Sequence, residues 1–226
     1  VNPALELETP TKAKPSPTLP FTREEMISIL AALDPYAKSA GAKNARRLRA
    51  FVLALRYSGM RIGDVTQLST ERIRGNRIHV YTAKTGTRVD CVVPDFVIQA
   101  IEASPRSSSR FFFWTGESKM HSAVGKWQLR LRRLFKLANV PHGHAHRFRD
   151  TFAVELLKSG VPMERVSRML GHSSIRITER YYSAWDQSRQ DQLEQDLKRA
   201  WAEDPIAILA STKGTQRGHG KEERIN

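Results

Sequence analysis

The hydrophobic period of this chain is helical on both sides of residues 77–93 and alternating within them. Ile78, Val80 and Thr82 line one face of that stretch, and Val89, Cys91 and Val93 recur after Thr85-Gly86-Thr87, which reads as a β-hairpin. One hairpin set among helical segments leaves a mainly helical α+β fold with a small antiparallel sheet. Phe111-Phe112-Phe113-Trp114 is either a third strand or a core-anchoring segment. Its other use, a base-stacking platform, is less common for four consecutive bulky residues.

The helical segments are punctuated. Thr22-Arg23-Glu24-Glu25 is a capping box, with Phe21 and Met26 placed as a hydrophobic staple. Met26, Ile29, Leu30 and Leu33 keep the period until Asp34-Pro35, which reads as a stop. A second helix runs from about Asn44, with Leu48, Phe51, Val52 and Leu55 on one face and Gly59 as its C-terminal stop. Arg61 falls in the connection after it, before Asp64-Val65-Thr66-Gln67-Leu68 opens another helix. Residues 122–138 place Val124, Trp127, Leu131, Leu134, Phe135 and Ala138 on one stripe, leaving Arg130, Arg132, Arg133 and Lys136 as a cationic back. From Arg149 to Tyr182 the pattern is helix, turn, helix, turn, helix, with Gly160, Pro162 and Gly171 as boundaries.

At 226 residues the chain can bury one substantial core. Its net charge of +14, clustered at Arg46, Arg47 and Arg49 and again at Arg130 to Lys136, makes an anionic polymer the natural partner. A basic surface alone predicts salt-sensitive, non-specific nucleic-acid binding and no chemistry. No long apolar run or signal-like segment points to a membrane. Cys91 is the single cysteine, so no disulfide forms within the chain, and a cytoplasmic setting is the default. The chain opens on Val1 and a Pro-rich stretch (Pro10, Pro15, Pro17, Pro20) of linker composition, which reads as a fragment whose missing part lay on the N-terminal side.

The chemistry lies in an ordered series: Arg61, Lys84, His146-x-x-Arg149, His172 and Tyr181-Tyr182. Arginine forks neutralise non-bridging phosphate oxygens, lysine or histidine moves protons at bridging oxygens, and a tyrosine phenolate forms a covalent phosphotyrosine. The segments Ser58-Gly59-Met60-Arg61-Ile62-Gly63-Asp64, His146-Arg147-Phe148-Arg149-Asp150-Thr151-Phe152-Ala153 and Leu170-Gly171-His172-Ser173-Ser174, followed by tyrosine, resemble the catalytic domain of the tyrosine recombinase (phage integrase) family over roughly residues 21–185.

The resemblance implies the integrase-like DNA breaking-rejoining catalytic core. It implies site-specific recombination of double-stranded DNA through a 3′-phosphotyrosyl link and a Holliday junction, with no cofactor. It implies self-association as a tetramer on DNA and a mobile-element setting. Arg61, Lys84, His146, Arg149 and His172 match the family's catalytic positions, with Tyr182 as nucleophile and Tyr181 as the alternative. Both tyrosines lie within range of His172, and Tyr182-Ser183-Ala184-Trp185 fits the pattern that follows family nucleophiles better. Asp64 takes a support role, orienting Arg61 or capping the next helix. DNA-binding falls to Arg46, Arg47, Arg130, Arg133 and Lys136.

Two registers satisfy His-x-x-Arg, His144 with Arg147 and His146 with Arg149. The family's arginine two residues before a Thr-Phe-Ala helix start selects the second, with Asp150 where the family more often has histidine. A metal site at the alternating histidines has no second ligand cluster to support it. The organisation expected is a linker over 1–20, a catalytic domain over 21–185, a C-terminal helical extension over 186–210 and a disordered tail over 211–226. Leu193, Leu197, Ala200 and Trp201, and Ile206, Ile208 and Leu209 after them, need an apolar partner, either their own core or, as C-terminal exchange in that family implies, a neighbouring subunit's groove. The competing activities are a type IB topoisomerase-like enzyme, which shares the chemistry, and a non-catalytic helix-turn-helix regulator.

Overall fold

A computed structural model of the chain describes residues 19–81, 86 and 88–206. The capping box forms as its sequence dictates: Thr22 accepts from the Glu25 backbone N–H, and Glu25 accepts from the Thr22 N–H, at the start of α1 (Arg23–Ala31). The chain does not stop at Asp34-Pro35. Helix α2 (Leu33–Ala40) begins there, because proline in a first turn gives up an N–H that has no helical partner in any case. Helix α3 (Ala42–Ser58) is the centre of the fold, packed against α2 and several later helices. Its Leu48, Phe51, Val52 and Leu55 are fully buried, and it ends at Gly59 in the left-handed conformation, φ +63°.

Helix α4 (Ile62–Thr66) opens two residues earlier than expected, so Arg61 is its N-cap and Asp64 lies buried in its first turn. The sheet follows, with β1 (Ile73–Arg74), β2 (Arg77–Tyr81) and β3 (Arg88–Val92) in antiparallel order β1-β2-β3. The register pairs Ile78 with Cys91 and Val80 with Val89, as the alternation requires. The third strand is β1, not Phe111–Trp114. That segment makes only a lone bridge from Phe111 to Ser69, and it anchors the core through Phe112 and Phe113, both nearly inaccessible, rather than offering rings to bases. Thr82 and Lys84, between β2 and β3 in the sequence, lie outside the described residues.

Helices α5 (Asp95–Glu102) and α6 (Met120–Leu137) complete the wall around α3. Phe51 of α3 stacks on Trp127 of α6 with ring centroids 3.9 Å apart, and Phe113 meets both rings edge-on. Helix α7 (Ala145–Lys158) starts six residues before the expected Thr-Phe-Ala position. Its His146, Arg149 and Asp150 are therefore helical, in register on one rigid element. Helices α8 (Met163–Met169) and α9 (Ile175–Ala202) follow, with Gly171 at φ +62° between them. Among the described residues, contacts divide into one unit ending at Ser183 and a second beginning at Ala184. In the second unit, Leu193, Leu197, Trp201 and Ile206 are exposed. No helix among the described residues is long and apolar enough to cross a membrane.

Candidate active site

One cleft of about 900 Å³ in the first unit is lined by Arg61, His144, His146, Arg149, Asp150, His172, Tyr181 and Tyr182. Four loop or helix ends deliver them. The αL turn at Gly59 throws the chain from α3 into the α4 N-cap, which aims Arg61. The first turns of α7 carry His146, Arg149 and Asp150, the α8–α9 connection carries His172, and α9 brings the tyrosines.

Arg149 is 3% exposed and is anchored by backbone carbonyls, Nη1 to Gly59 O at 2.8 Å and Nη2 to Leu170 O at 2.5 Å. Burial and then the neighbouring Arg61 guanidinium lower its pKa to about 10, so it stays cationic at neutral pH. Arg61 Nη1 is buried and makes no hydrogen bond within the described residues. An anion with oxygens to spare is what such a donor lacks.

The rejected register is explained by the same helix. Arg147 borders the same cleft but is spent on Glu25 (Nη2 to Oε2, 2.7 Å), on the Leu19 and Pro20 carbonyls and on the Phe21 ring. It ties α7 to the entry of the chain, whereas Arg149 is anchored on backbone carbonyls.

His172 is packed so that its pKa falls to about 4, through burial first and then through Arg149, Arg61 and His146. It is neutral at physiological pH. Its Nδ1 lies 2.8 Å from the hydroxyl of the fully buried Thr178; a hydroxyl donating there leaves Nε2–H as a donor. His146 stands at the cleft mouth with Nε2 3.5 Å from Asp150 Oδ1. Its pKa is held below the ordinary imidazole value, by desolvation first, with Asp150 opposing.

The tyrosines separate as two neighbours on a helix must. Tyr181 is 42% exposed and Tyr182 is 2% exposed. Tyr182 donates its hydroxyl to Asp150 Oδ1 at 2.9 Å, and burial and then that carboxylate push its pKa above the ordinary phenol range. Asp150, itself buried, is raised by desolvation, with His146 and the Tyr182 hydrogen bond opposing. Asp64 is buried close enough to act electrostatically on Arg149.

Sequence reasoning gave no role to Asp150, His144 or Thr178, all of which touch or border the site. The residue after Arg149 and the position six beyond His172 were the available signals. Of the cations expected to hold DNA, Arg47 and Arg130 lie over the Trp127 ring and Arg133 lies over Tyr36, while Arg46 and Lys136 are exposed. None of the five lines the cleft. The α6 cation nearest the chemistry is Arg132, which with Gln128 borders an adjoining cleft of about 430 Å³ shared by Arg61, His146 and Arg149. Among the described residues no three His, Cys, Asp or Glu side chains group as a metal site.

Comparison with known proteins gives the family and the fold. A tyrosine recombinase of Thermosipho africanus (strain TCF52B) is 27% identical over 177 residues, covering 76% of this chain and 59% of its own. A probable integrase/recombinase of Acholeplasma phage L2 is 26% identical over 177 residues, covering 74% of this chain and 59% of its own. The chain thus spans about six tenths of the length of these curated relatives. Among solved structures, XerA recombinase superposes with TM-score 0.58 at 18% identity, over 96% of this chain and 72% of its own. The catalytic domain of bacteriophage HP1 integrase superposes with TM-score 0.53 at 19% identity, over 78% of this chain and 93% of its own. These likenesses show the fold of a tyrosine recombinase catalytic domain. The phage integrase family profile itself matches residues 20–188, and the chain belongs to the phage integrase family.

Proposed function

We propose that this chain is the catalytic part of a site-specific DNA recombinase, with Tyr182 as the nucleophile. The observation that carries the reading is convergence: Arg61 at the α4 N-cap, His146 and Arg149 on α7, His172 in the α8–α9 connection and Tyr182 on α9 line one cleft. In this reading Arg61 and Arg149 hold the non-bridging oxygens of the scissile phosphate as charge develops. His172 donates a hydrogen bond to the same group, and Tyr182 attacks phosphorus to give a 3′-phosphotyrosyl link and a free 5′-hydroxyl. Lys84 is the proposed acid for the leaving 5′-oxygen. Because the bond energy stays in the phosphotyrosine, a 5′-hydroxyl from a partner duplex reverses the step, and exchange of both strands passes through a Holliday junction.

The partner is double-stranded DNA bearing a recombination site, bound by a tetramer. The likeness to XerH, solved in a post-cleavage complex with its difH substrate, supports a duplex substrate. The exposed Leu193, Leu197 and Trp201 are the proposed docking residues between subunits. Arg46, Arg47, Arg130, Arg133 and Lys136 are the proposed backbone contacts, and a cytoplasmic setting goes with that substrate. A helix-turn-helix regulator has no use for a buried tyrosine facing two arginines.

The test is covalent trapping. Incubation at low salt in excess EDTA with a pool of singly nicked duplexes of varied sequence is expected to give an SDS-stable adduct that maps to the Tyr182 peptide and is lost in Tyr182→Phe. Failure of every duplex to form an adduct refutes the enzymatic reading. An adduct on Tyr181 moves the nucleophile and leaves the class intact.

A further inference from the structure

We propose that Asp150 is the catalytic group that receives the phenolic proton of Tyr182 during cleavage and returns it during rejoining. The inference rests on the reading above and adds a base to it. The Tyr182 hydroxyl already donates to Asp150 Oδ1 at 2.9 Å, inside the reach that general-base transfer requires. Among the described residues no other acceptor takes a hydrogen bond from that hydroxyl. His172 has its Nδ1 engaged with Thr178, and His146 lies 3.5 Å from the carboxylate itself.

The step balances on named atoms. The Tyr182 Oη–H bond breaks and its proton passes to Asp150 Oδ1, while the freed Oη pair forms the bond to phosphorus. The bond from phosphorus to the 5′-oxygen breaks, and that oxygen takes a proton from the leaving-group acid, for which Lys84 is the candidate. Asp150 is then a neutral acid at the phosphotyrosine. When a 5′-hydroxyl attacks, its proton returns to the deprotonated leaving-group acid, the bond from phosphorus to Tyr182 Oη breaks, and the departing Oη recovers its proton from Asp150, so one carboxylate serves both directions.

The surroundings suit that role. Asp150 is 6% exposed, and burial lifts its pKa above the ordinary carboxylate range, which makes it a stronger base than an exposed aspartate. The charged and titratable groups facing it are His144, His146 and Arg149 from its own helix or N-cap and Tyr182 from α9. The three cation-forming groups stabilise its ionised form, and Tyr182 does so through its hydrogen bond.

The experiment uses the duplex that traps adduct with the unaltered chain, in two forms. One has the ordinary 5′-oxygen, and the other has a 5′-bridging sulfur whose thiolate leaves without a proton. Asp150→Asn keeps shape and hydrogen-bond acceptance but cannot take the proton. It is expected to slow cleavage by about 10²–10⁴-fold on both forms, with unchanged DNA retention. Asp150→Glu is expected to recover part of the rate, and the acid limb of the pH–rate profile is expected to vanish in Asp150→Asn. Recovery of Asp150→Asn on the sulfur duplex would assign Asp150 to the leaving-group side and overturn the proposal. Cleavage by Asp150→Asn as fast as or faster than the unaltered chain would make Asp150 a latch on the tyrosine and overturn it equally. Thermal melting of both variants checks that the cleft is folded, and if Asp150→Asn unfolds, a rate for folded Asp150→Glu with no shift of its acid limb overturns the proposal. Absence of adduct with the unaltered chain is a different failure, that of the recombinase reading itself.

Discussion

Gly59→Ala is the substitution through which fold and site are tested together. Gly59 holds φ +63°, and a Cβ there would sit 2.3 Å from Phe152 Cδ1, 2.8 Å from Cε1 and 3.0 Å from Cγ. Two costs add. An L-residue in the left-handed region loses roughly 1–2 kcal/mol, and forcing a methyl against a packed ring costs about 1–3 kcal/mol. The sum, about 2–5 kcal/mol, is a large part of the roughly 5–15 kcal/mol by which a domain is stable. Phe152 is 7% exposed on α7, one turn from Arg149, whose Nη1 is held by the Gly59 carbonyl at 2.8 Å. The ring cannot yield without moving the helix that carries the arginine. Urea unfolding is expected to show the loss as a lower midpoint at unchanged slope, and cleavage is expected to fall more than DNA binding. In a cycle with Phe152→Leu, the clash is partly relieved, and the two substitutions are expected to couple by about 0.5–3 kcal/mol. A single-variant cost under about 0.5 kcal/mol, or strict additivity in the cycle, would refute the steric reasoning.

Arg61→Ala and Arg149→Ala are each expected to lower adduct formation by about 10²–10³-fold while changing DNA retention far less, because each guanidinium acts on charge that develops in the transition state. Parallel loss of cleavage and binding would make them ordinary phosphate anchors. The folded pKa of His172 is about 4 against an ordinary 6.5, so the unfolded chain takes up its proton first as the medium is acidified. Its stabilising contribution is whole above about pH 6.5 and is lost as pH falls through about 4, with His144 and His146 shifted in the same direction. Thermal melts from pH 7 to 4 check this, and His172→Gln is expected to flatten the decline; an unchanged decline would refute the assignment. DNA affinity of the chain is expected to fall steeply with salt, with a log–log slope that shrinks by roughly 1 for each phosphate contact removed, Arg46→Ala and Lys136→Ala being the variants to measure. Salt-independent binding would contradict a backbone-tracking surface.

What was legible in the sequence was whatever local chemistry decides. The alternation at Ile78, Val80, Val89 and Cys91 produced the hairpin in the expected register, and the capping box and the Gly59 and Gly171 stops produced the helix ends. What was not legible depends on tertiary context. Pro35 reads as a stop by propensity, but the same residue is tolerated in a first turn, and only packing says which applies. The start of α7 was hidden because, beside Phe148, its buried residues there are Arg147, Arg149, Asp150 and Thr151, polar residues that a hydrophobic period cannot register. Likewise Phe111 carries a strand-former's composition, yet the sheet is closed by the short β1 instead. The pairing of Tyr182 with Asp150 joins residues from different helices, and no local pattern encodes it.

The contrast between Arg147 and Arg149 shows how one residue type is divided between folding and chemistry within a single helix turn. Arg147 is matched to the Glu25 carboxylate, so its charge is neutralised and its work is to fasten α7 to the first helix. Arg149 is held by the carbonyls of Gly59 and Leu170, which fix its direction without neutralising its charge. Asp64 and Asp150 offset that charge only in part, since the balance of burial and Arg61 still lowers the Arg149 pKa to about 10. His172 is kept neutral by burial first and by the same cations second, and Nη1 of Arg61 is buried beside them with no hydrogen-bond partner among the described residues. Folding has therefore already borne the cost of gathering these cations in one cleft. A phosphate that enters meets donors that need no reorganisation as charge grows on its oxygens, which is the condition for stabilising the transition state more than the ground state.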